Sequence, residues 1–212
     1  MTTLIAAILG LAWGFASDRI AARWPAHEDV SIRGIDWRTP LVTLVGGVAF
    51  GATVARFGGN PAQLTFVGVY VVALVLLFAT DLDQKLLPDV ITLPLVVLAL
   101  AAFATGAGPY VHTVEDLAWA TAAAIAVPLG LYLLAIPFGA GAIGQGDLKL
   151  LVSVGLLAGA LKLFYGLVAG ALLAGIVVAI LVVTRRLSMK SYVPYGPFLI
   201  AGALWSIVAL PS

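Results

Sequence analysis

The sequence contains no cysteine, only two histidines and very little charge. Of its 212 residues, 11 are Lys or Arg and 10 are Asp or Glu, whereas 62% are hydrophobic. A soluble domain is typically about 45–50% apolar and about 25% charged. The absence of Cys excludes disulfides, thiolate metal sites and cysteine nucleophiles. A net charge of +1 without a basic cluster argues against a nucleic-acid partner. The composition predicts a protein whose solvent is the lipid bilayer.

Apolar runs bounded by charge, Gly or Pro predict about eight transmembrane helices. Hydrocarbon offers the backbone no hydrogen-bond partners, and continuous apolarity without alternation favours helices over a barrel. We therefore expect one all-α, polytopic membrane domain over 1–212, with a short cytoplasmic loop at 18–39. The first run has no basic segment before it, unlike a cleavable signal peptide, so we expect it to be retained. The runs lie at about 2–17, 40–57, 63–80, 90–107, 117–138, 148–161, 164–184 and 192–211.

Basic residues are distributed unequally between the two predicted sides of the membrane. Nine fall in the odd-numbered loops and two in the even-numbered ones, and Lys and Arg favour the cytoplasm. The odd loops are therefore expected in the cytoplasm and both termini outside. The nine are Arg19, Arg23, Arg33, Arg38, Lys85, Lys149, Arg185, Arg186 and Lys190, and the two are Arg56 and Lys162. Glycine pairs four residues apart, such as Gly10 with Gly14 and Gly166 with Gly170, are expected to allow close helix packing.

Four acids lie at predicted cytoplasmic ends of spans, where an ionised carboxylate is costly and usually has a function or a partner. Asp81 directly follows an apolar run, so its depth favours it over Asp83 and Asp89, which are expected nearer water. Asp89 could instead cap the next helix. Asp147 could also be a cap. The other six acids, such as Asp18, are expected to be solvated loop charges.

Asp147 lies in the segment GAIGQGDLKLL, immediately after Gly144 and Gly146. Glycines beside an acid allow an extended peptide to approach closely, which a protease needs. Two acids at the ends of different helices on one membrane face suggest a dyad, in which repulsion keeps one acid protonated and the pair supplies both a base and an acid. Such a pair needs no metal or cofactor. His27 and His112 fall in loops on opposite sides, so no metal site is expected.

A transporter is an alternative from the residues alone, because membrane carboxylates can also bind coupling ions. Transporter sites favour the bilayer midplane and internal repeats. The acids here lie at helix ends, and the sequence shows no repeat. The pattern therefore favours an enzyme.

Three motifs resemble those of the type IV prepilin peptidases, the GxGD family of membrane aspartic proteases: DLDQKLLPDVITLPL, GQGDLKLL and VPYGPFLIAGAL. They occur in the family's order. The resemblance implies that Asp81 and Asp147 are catalytic and that proteolysis requires no cofactor. It implies that the protein cuts prepilin or type II secretion pseudopilin precursors at the cytoplasmic face of the inner membrane. It also implies that the substrate site is formed by Gly144, Gly146, Lys149, Pro88, Pro194, Gly196 and Pro197.

The first loop departs from the family pattern. Bifunctional members carry a longer loop with two CxxC pairs that bind zinc, and they methylate the new N-terminus from S-adenosylmethionine. Here the loop 18–39 has no Cys, and Thr43 stands where the family typically has Glu. We expect a peptidase without efficient methylation, for which S-adenosylmethionine is a cofactor only if methyl transfer is retained. A catalytically silent assembly protein of the pilus machinery is a further alternative, against which the intact acids argue.

Overall fold

The computed structural model describes residues 1–24, 32–139, 143–185 and 195–209, and within them the fold is helical. These residues form seven α-helices and one short 3₁₀ turn at Ile136–Phe138. The helices are α1 (Thr2–Ala21), α2 (Arg38–Phe57), α3 (Pro61–Gln84), α4 (Asp89–Ala104), α5 (Val114–Ala135), α6 (Gln145–Val183) and α7 (Gly196–Val208).

Five of these helices, α1, α2, α3, α5 and α6, are long and apolar enough to cross a membrane. Helices α4 and α7 are shorter and also apolar. The prediction of an all-α membrane fold is confirmed. The predicted count of about eight transmembrane helices is not confirmed, since five of the described helices meet this criterion. The prediction counted the two shorter helices as spans and divided α6 into two.

The chain bends sharply within α6, at Gly159, which has φ 80° and ψ 169°. Glycine takes such a conformation without the steric penalty of a Cβ atom. A Cβ on Gly155 would lie 3.0 Å from Leu163 Cδ2, a contact that eight residues of straight helix, rising 1.5 Å per residue, cannot make. The chain therefore turns back at this bend, between the two predicted runs at 148–161 and 164–184.

Small residues bring the helices close together, as the glycine pairs predict. A Cβ on Gly10 would stand 2.7 Å from Phe50 Cβ of α2, and a Cβ on Gly14 would stand 2.8 Å from Thr43 Cα. On α6, a Cβ on Gly166 would lie 3.1 Å from Gly202 O of α7. The close packing of α1 on α2 and of α6 on α7 therefore depends on these glycines.

Helix α3 is at the centre of the bundle. Tyr70, Leu74 and Leu77 on it are fully buried. The Tyr70 hydroxyl and Ser153 Oγ of α6 are 2.7 Å apart, a hydrogen bond in the core. A buried polar pair of this kind costs little only when both partners are satisfied. The bond ties α3 to the part of α6 before the bend, so the positions of these two helices depend on each other.

The bundle has two ends of different character. At one, here called the acid end, α3 finishes and α4, α6 and α7 begin. At the other, here called the Tyr110 end, Arg56 Nε donates a 3.0 Å hydrogen bond to the Tyr110 hydroxyl. Lys162 Nζ lies 4.0 Å from the centre of the same ring. Arg56 and Lys162, the two basic residues that the sequence predicts on the non-cytoplasmic side, therefore both contact Tyr110.

The first loop is shorter than the predicted range 18–39, because α1 continues to Ala21 and α2 begins at Arg38. Asp18 lies within α1, and its side chain is only 1% exposed. The expectation that Asp18 is a solvated loop charge is wrong. Burying a carboxylate is tolerated when it is paired and hydrogen-bonded, and Asp18 is paired with two arginines.

Candidate active site

Asp81 lies in the last turn of α3, at the acid end. The helix stops four residues later because Lys85 adopts a left-handed conformation, with φ 56°, and its N–H bonds to Asp81 O. Asp81 is 5% exposed. Its Oδ2 atom is buried and has no hydrogen-bond partner among the residues that the structure describes. Such an unsatisfied carboxyl oxygen in a native fold is unusual and points to a function.

Asp147 is the third residue of α6, whose N-cap is Gly144. Its carboxylate accepts a hydrogen bond from the Gly144 N–H, which is one half of a capping box. Asp147 Oδ1 is buried and, within the described parts of the chain, has no hydrogen-bond partner. One hydrogen bond thus caps α6 and orients the carboxyl of Asp147, and its predicted catalytic role stays a prediction.

The start of α7 joins the two acids in one site. A Cβ atom on Gly196 would lie 2.6 Å from Asp81 Cγ and 2.8 Å from Asp81 Oδ1. The preceding residue, Tyr195, is influenced by the other acid: burial, and then the charge of Asp147, raise the pKa of its hydroxyl. Asp81 and Asp147 are themselves close enough to interact electrostatically. The pair predicted from the sequence is thus brought together from α3 and α6 beside the first residues of α7.

The spacing of the two acids depends on the loop between α3 and α4. A Cβ on Gly146 would stand 2.7 Å from Leu87 Cβ and 3.0 Å from Leu87 O. Only a glycine lets the first turn of α6 pack this closely on that loop. Since this loop begins four residues after Asp81 and Gly146 precedes Asp147, the contact helps to set the distance between the carboxyls.

The remaining predicted site residues surround this contact. Pro88 is buried and is the N-cap of α4, so Asp89 does not cap that helix. Asp89 instead accepts two 2.7 Å hydrogen bonds from Lys149 Nζ. Pro197 is buried in the first turn of α7. Pro194 lies outside the described residues. The roles of Gly144, Gly146, Lys149, Pro88, Gly196 and Pro197 in binding substrate stay predictions.

Asp83 differs from Asp81 chiefly in its partners. Its side chain is only 3% exposed, although the residue as a whole is less buried than Asp81, so burial alone does not separate the two acids. Arg33 and Arg38 both form ion pairs with it. Reasoning from the sequence missed these arginines, because 45 or more residues separate them from Asp83 and only the fold reveals the pairing.

The chemistry available at the site is that of carboxyl groups. Over the described ranges 1–24, 32–139, 143–185 and 195–209, no three His, Asp or Glu side chains are grouped as metal ligands would be. Two carboxyls that influence each other and have free oxygens can accept and donate protons in one reaction cycle.

Comparison with known proteins assigns this arrangement to a class. The chain matches the type IV leader peptidase family over residues 68–182, a range that includes both Asp81 and Asp147. It is 34% identical over 191 residues to a prepilin leader peptidase/N-methyltransferase of Burkholderia pseudomallei (strain K96243), covering 84% of this chain and 59% of that protein. A protein with the same description from Dickeya chrysanthemi is 34% identical over 182 residues, covering 80% of this chain and 59% of the relative. No solved structure matches.

The helical fold and apolar surface define an integral membrane protein. The chain belongs to the type IV leader peptidase family. It spans about three fifths of the length of the curated relatives that it matches.

Proposed function

We propose that the protein is an aspartic endopeptidase that removes the leader from type IV prepilin or type II secretion pseudopilin precursors. The observation that carries this proposal is the approach of Asp81 to Asp147, each with a buried carboxyl oxygen that has no hydrogen-bond partner among the described residues. Membership of the leader peptidase family supports the reaction class. The relatives described as prepilin leader peptidases support the substrate.

The mechanism that we propose uses the two acids as a base and an acid. The ionised carboxyl takes a proton from a water molecule, whose oxygen attacks the scissile carbonyl carbon. The protonated carboxyl gives its proton to the carbonyl oxygen, which forms a neutral gem-diol. Collapse of the gem-diol breaks the C–N bond, the nitrogen gains a proton from the dyad, and the products are a carboxyl group and an amine.

Each acid has an environment suited to this cycle. Asp147 is oriented by its hydrogen bond to Gly144 N–H, so its carboxyl has a fixed direction. Asp81 is pressed against Gly196 and shielded from bulk water. Positioned groups in a partly desolvated site transfer protons more efficiently than groups in free solution.

We further propose that the acid end faces the cytoplasm and that both chain termini face the opposite side. Lys149 and the arginines that pair with Asp18 and Asp83 lie at the acid end. Arg56 and Lys162 lie at the Tyr110 end. This distribution agrees with the preference of basic residues for the cytoplasmic side.

Cleavage of a prepilin by the purified full-length chain in lipid tests the proposed function. We expect wild-type protein to release the leader and Asp81→Asn and Asp147→Asn to lose cleavage, because an amide can serve in neither proton role. Glu115→Gln, the same kind of change at an exposed residue of α5, is the matched control and should cleave normally. Cleavage that survives in both Asn variants would contradict the aspartic mechanism. Absence of cleavage by folded wild-type protein would contradict the peptidase proposal.

A further inference from the structure

The segment between α1 and α2 is bound to the end of α3 through a single guanidinium group. Arg33 forms ion pairs with carboxylates from three parts of the fold: Asp18 of α1, Asp36 of the loop and Asp83 of α3. Arg33 Nε lies 2.6 Å from Asp83 Oδ1, and Arg33 Nη1 lies 2.6 Å from Asp36 Oδ1. The planar fork of arginine suits several fixed carboxylates better than a lysine does.

A second arginine closes the arrangement. Arg38, the first residue of α2, pairs with Asp83 through Nη1 and donates its backbone N–H to Asp36. Thr39 Oγ1 donates a 2.8 Å hydrogen bond to Asp18. With Arg19, which also pairs with Asp18, the group contains three arginines and three aspartates, so its formal charges cancel. These six charged residues are called the loop network below: Asp18, Arg19, Arg33, Asp36, Arg38 and Asp83.

The loop network defines geometry more than it adds stability. Replacing a buried ion-pair group with apolar side chains is often neutral or stabilising, whereas breaking one partner leaves a buried charge uncompensated. What the network provides is a fixed relation between α1, α2 and the last turn of α3. Gln84 strengthens the same relation, since its Nε2 donates a 2.8 Å hydrogen bond to Ala21 O.

Asp83 connects this network to the candidate catalytic pair. It is two residues from Asp81, and both lie in the last turn of α3 before the left-handed Lys85. Holding the Asp83 carboxylate therefore holds the backbone that carries Asp81. Asp81 also lies against Gly196 at the start of α7 and interacts with Asp147 of α6, so a shift of this turn would change its position relative to Asp147.

We propose that Arg33 and Arg38 are positioning residues, which act through Asp83 to hold the end of α3 so that Asp81 stays aligned with Asp147. This rests on the proposed peptidase function. Asp83→Asn should therefore lower turnover although it leaves both Asp81 and Asp147 in place.

Kinetics of Asp83→Asn, Arg38→Gln and the double variant test the proposal. We expect each single variant to lower kcat about tenfold or more, because a misplaced reacting group reduces rate steeply, while KM stays near the wild-type value. The double variant should lose little beyond the single ones, since both act through one pair. Arg23→Gln removes an exposed arginine at the end of α1, outside the network, and should behave as wild type. Wild-type kcat in monodisperse variants whose only defect is a lower melting temperature would overturn the proposal.

A measurement that does not depend on catalysis separates the two proposals. The chain has no cysteine, so Asp81→Cys combined with Asp147→Cys provides a clean pair for thiol-directed cross-linkers of graded length. We expect Arg38→Gln in this background to lower the cross-linking yield and to widen the range of cross-linker lengths that react. If the Gln variant does not fold, the same two quantities are measured for Arg38→Lys, and the same changes are expected. Unchanged cross-linking would overturn the positioning role. Inactive wild-type protein with altered cross-linking would refute the peptidase proposal and leave the positioning of Asp81 standing.

Discussion

Gly196 of α7 lies against the carboxyl group of Asp81, so that a methyl group on this glycine would stand 2.6 Å from Asp81 Cγ. Non-bonded carbon atoms normally approach only to about 3.5–4.0 Å. The first turn of α7 and the last turn of α3 therefore touch at the candidate catalytic acid itself. A shift of α7 would therefore change the contact between Gly196 and the carboxyl group of Asp81.

Gly196→Ala should strongly lower the proposed peptidase activity while it keeps both acids. The added methyl group must displace the Asp81 carboxyl or the start of α7, and a displacement of about 1 Å can lower the rate about a hundredfold. We expect kcat for prepilin cleavage to fall by about that factor, with a stability loss of about 1–3 kcal/mol from overpacking. Both are measured on purified protein in lipid.

Gly175→Ala is the matched control for this substitution. It adds the same methyl group to α6 at a position where no neighbouring atom lies within 4 Å. Alanine is also the better helix former, so activity and stability should be retained. Normal turnover by Gly196→Ala would contradict the proposal that the contact with Asp81 constrains the active geometry.

Lys149 and Asp89 provide a test of the predicted substrate contact. Their ion pair is partly exposed, with side chains 33% and 57% accessible, and exposed pairs typically contribute about 0.2–1 kcal/mol. Asp89→Asn and Lys149→Gln should therefore lower stability by similarly small amounts. We expect only Lys149→Gln to raise KM for prepilin, because it removes the predicted contact. Equal KM values for the two variants would contradict a substrate contact by Lys149 and would leave only its ion pair with Asp89.

The orientation of the bundle can be tested without any activity. The first residue of α7, Gly196, lies beside Asp81. The other end of α7 lies near Tyr110, whose hydroxyl donates a hydrogen bond to Ile207 O. We therefore expect the acid end and the C-terminus to lie on opposite sides of the membrane. Reporter fusions after Lys85 and after Lys190 should read cytoplasmic. A fusion at the C-terminus should read external, and a cytoplasmic signal there would refute the proposed orientation.

Methyl transfer is the activity that we expect the protein to lack or to perform poorly. Pockets for ligands of this size typically enclose about 300–1,000 Å³, whereas the described part of the first loop is committed to ion pairs with α1 and α3. Mass spectrometry of processed pilin after incubation with S-adenosylmethionine decides the question. A stoichiometric gain of about 14 Da, one methyl group, on the new N-terminus would contradict this inference from the loop.

Helices were predictable from the sequence because hydrocarbon leaves the backbone no other common solution. The interruption between the apolar runs at 148–161 and 164–184 indicated a break in this part of the chain, and the bend at Gly159 lies close to it. Helix ends were less predictable. Asp18 illustrates the reason: its polarity suggested a loop, but contacts with Arg33 and Thr39 keep it buried at the end of α1.

The choice of Asp81 over Asp83 shows a different limit. Depth was the criterion available from the sequence, yet both side chains are almost fully buried. They differ because Asp83 forms ion pairs with arginines from another part of the chain, whereas Asp81 interacts with Asp147 and lies against Gly196. Pairing across tens of residues leaves no periodic signal in a single sequence, so only the fold distinguishes the two acids.

The bend at Gly159 has a consequence for the surrounding lipid. From Gln145 to the bend, α6 is about 21 Å long at 1.5 Å per residue, whereas the hydrocarbon core of a bilayer is about 30 Å thick. Such a stretch places Asp147 below the headgroups unless the bilayer thins around it. In both cases water, and a peptide substrate of the proposed kind, would have to enter a depression in the membrane surface to reach the acids. The acyl-chain length of the host membrane would then affect access to the proposed site.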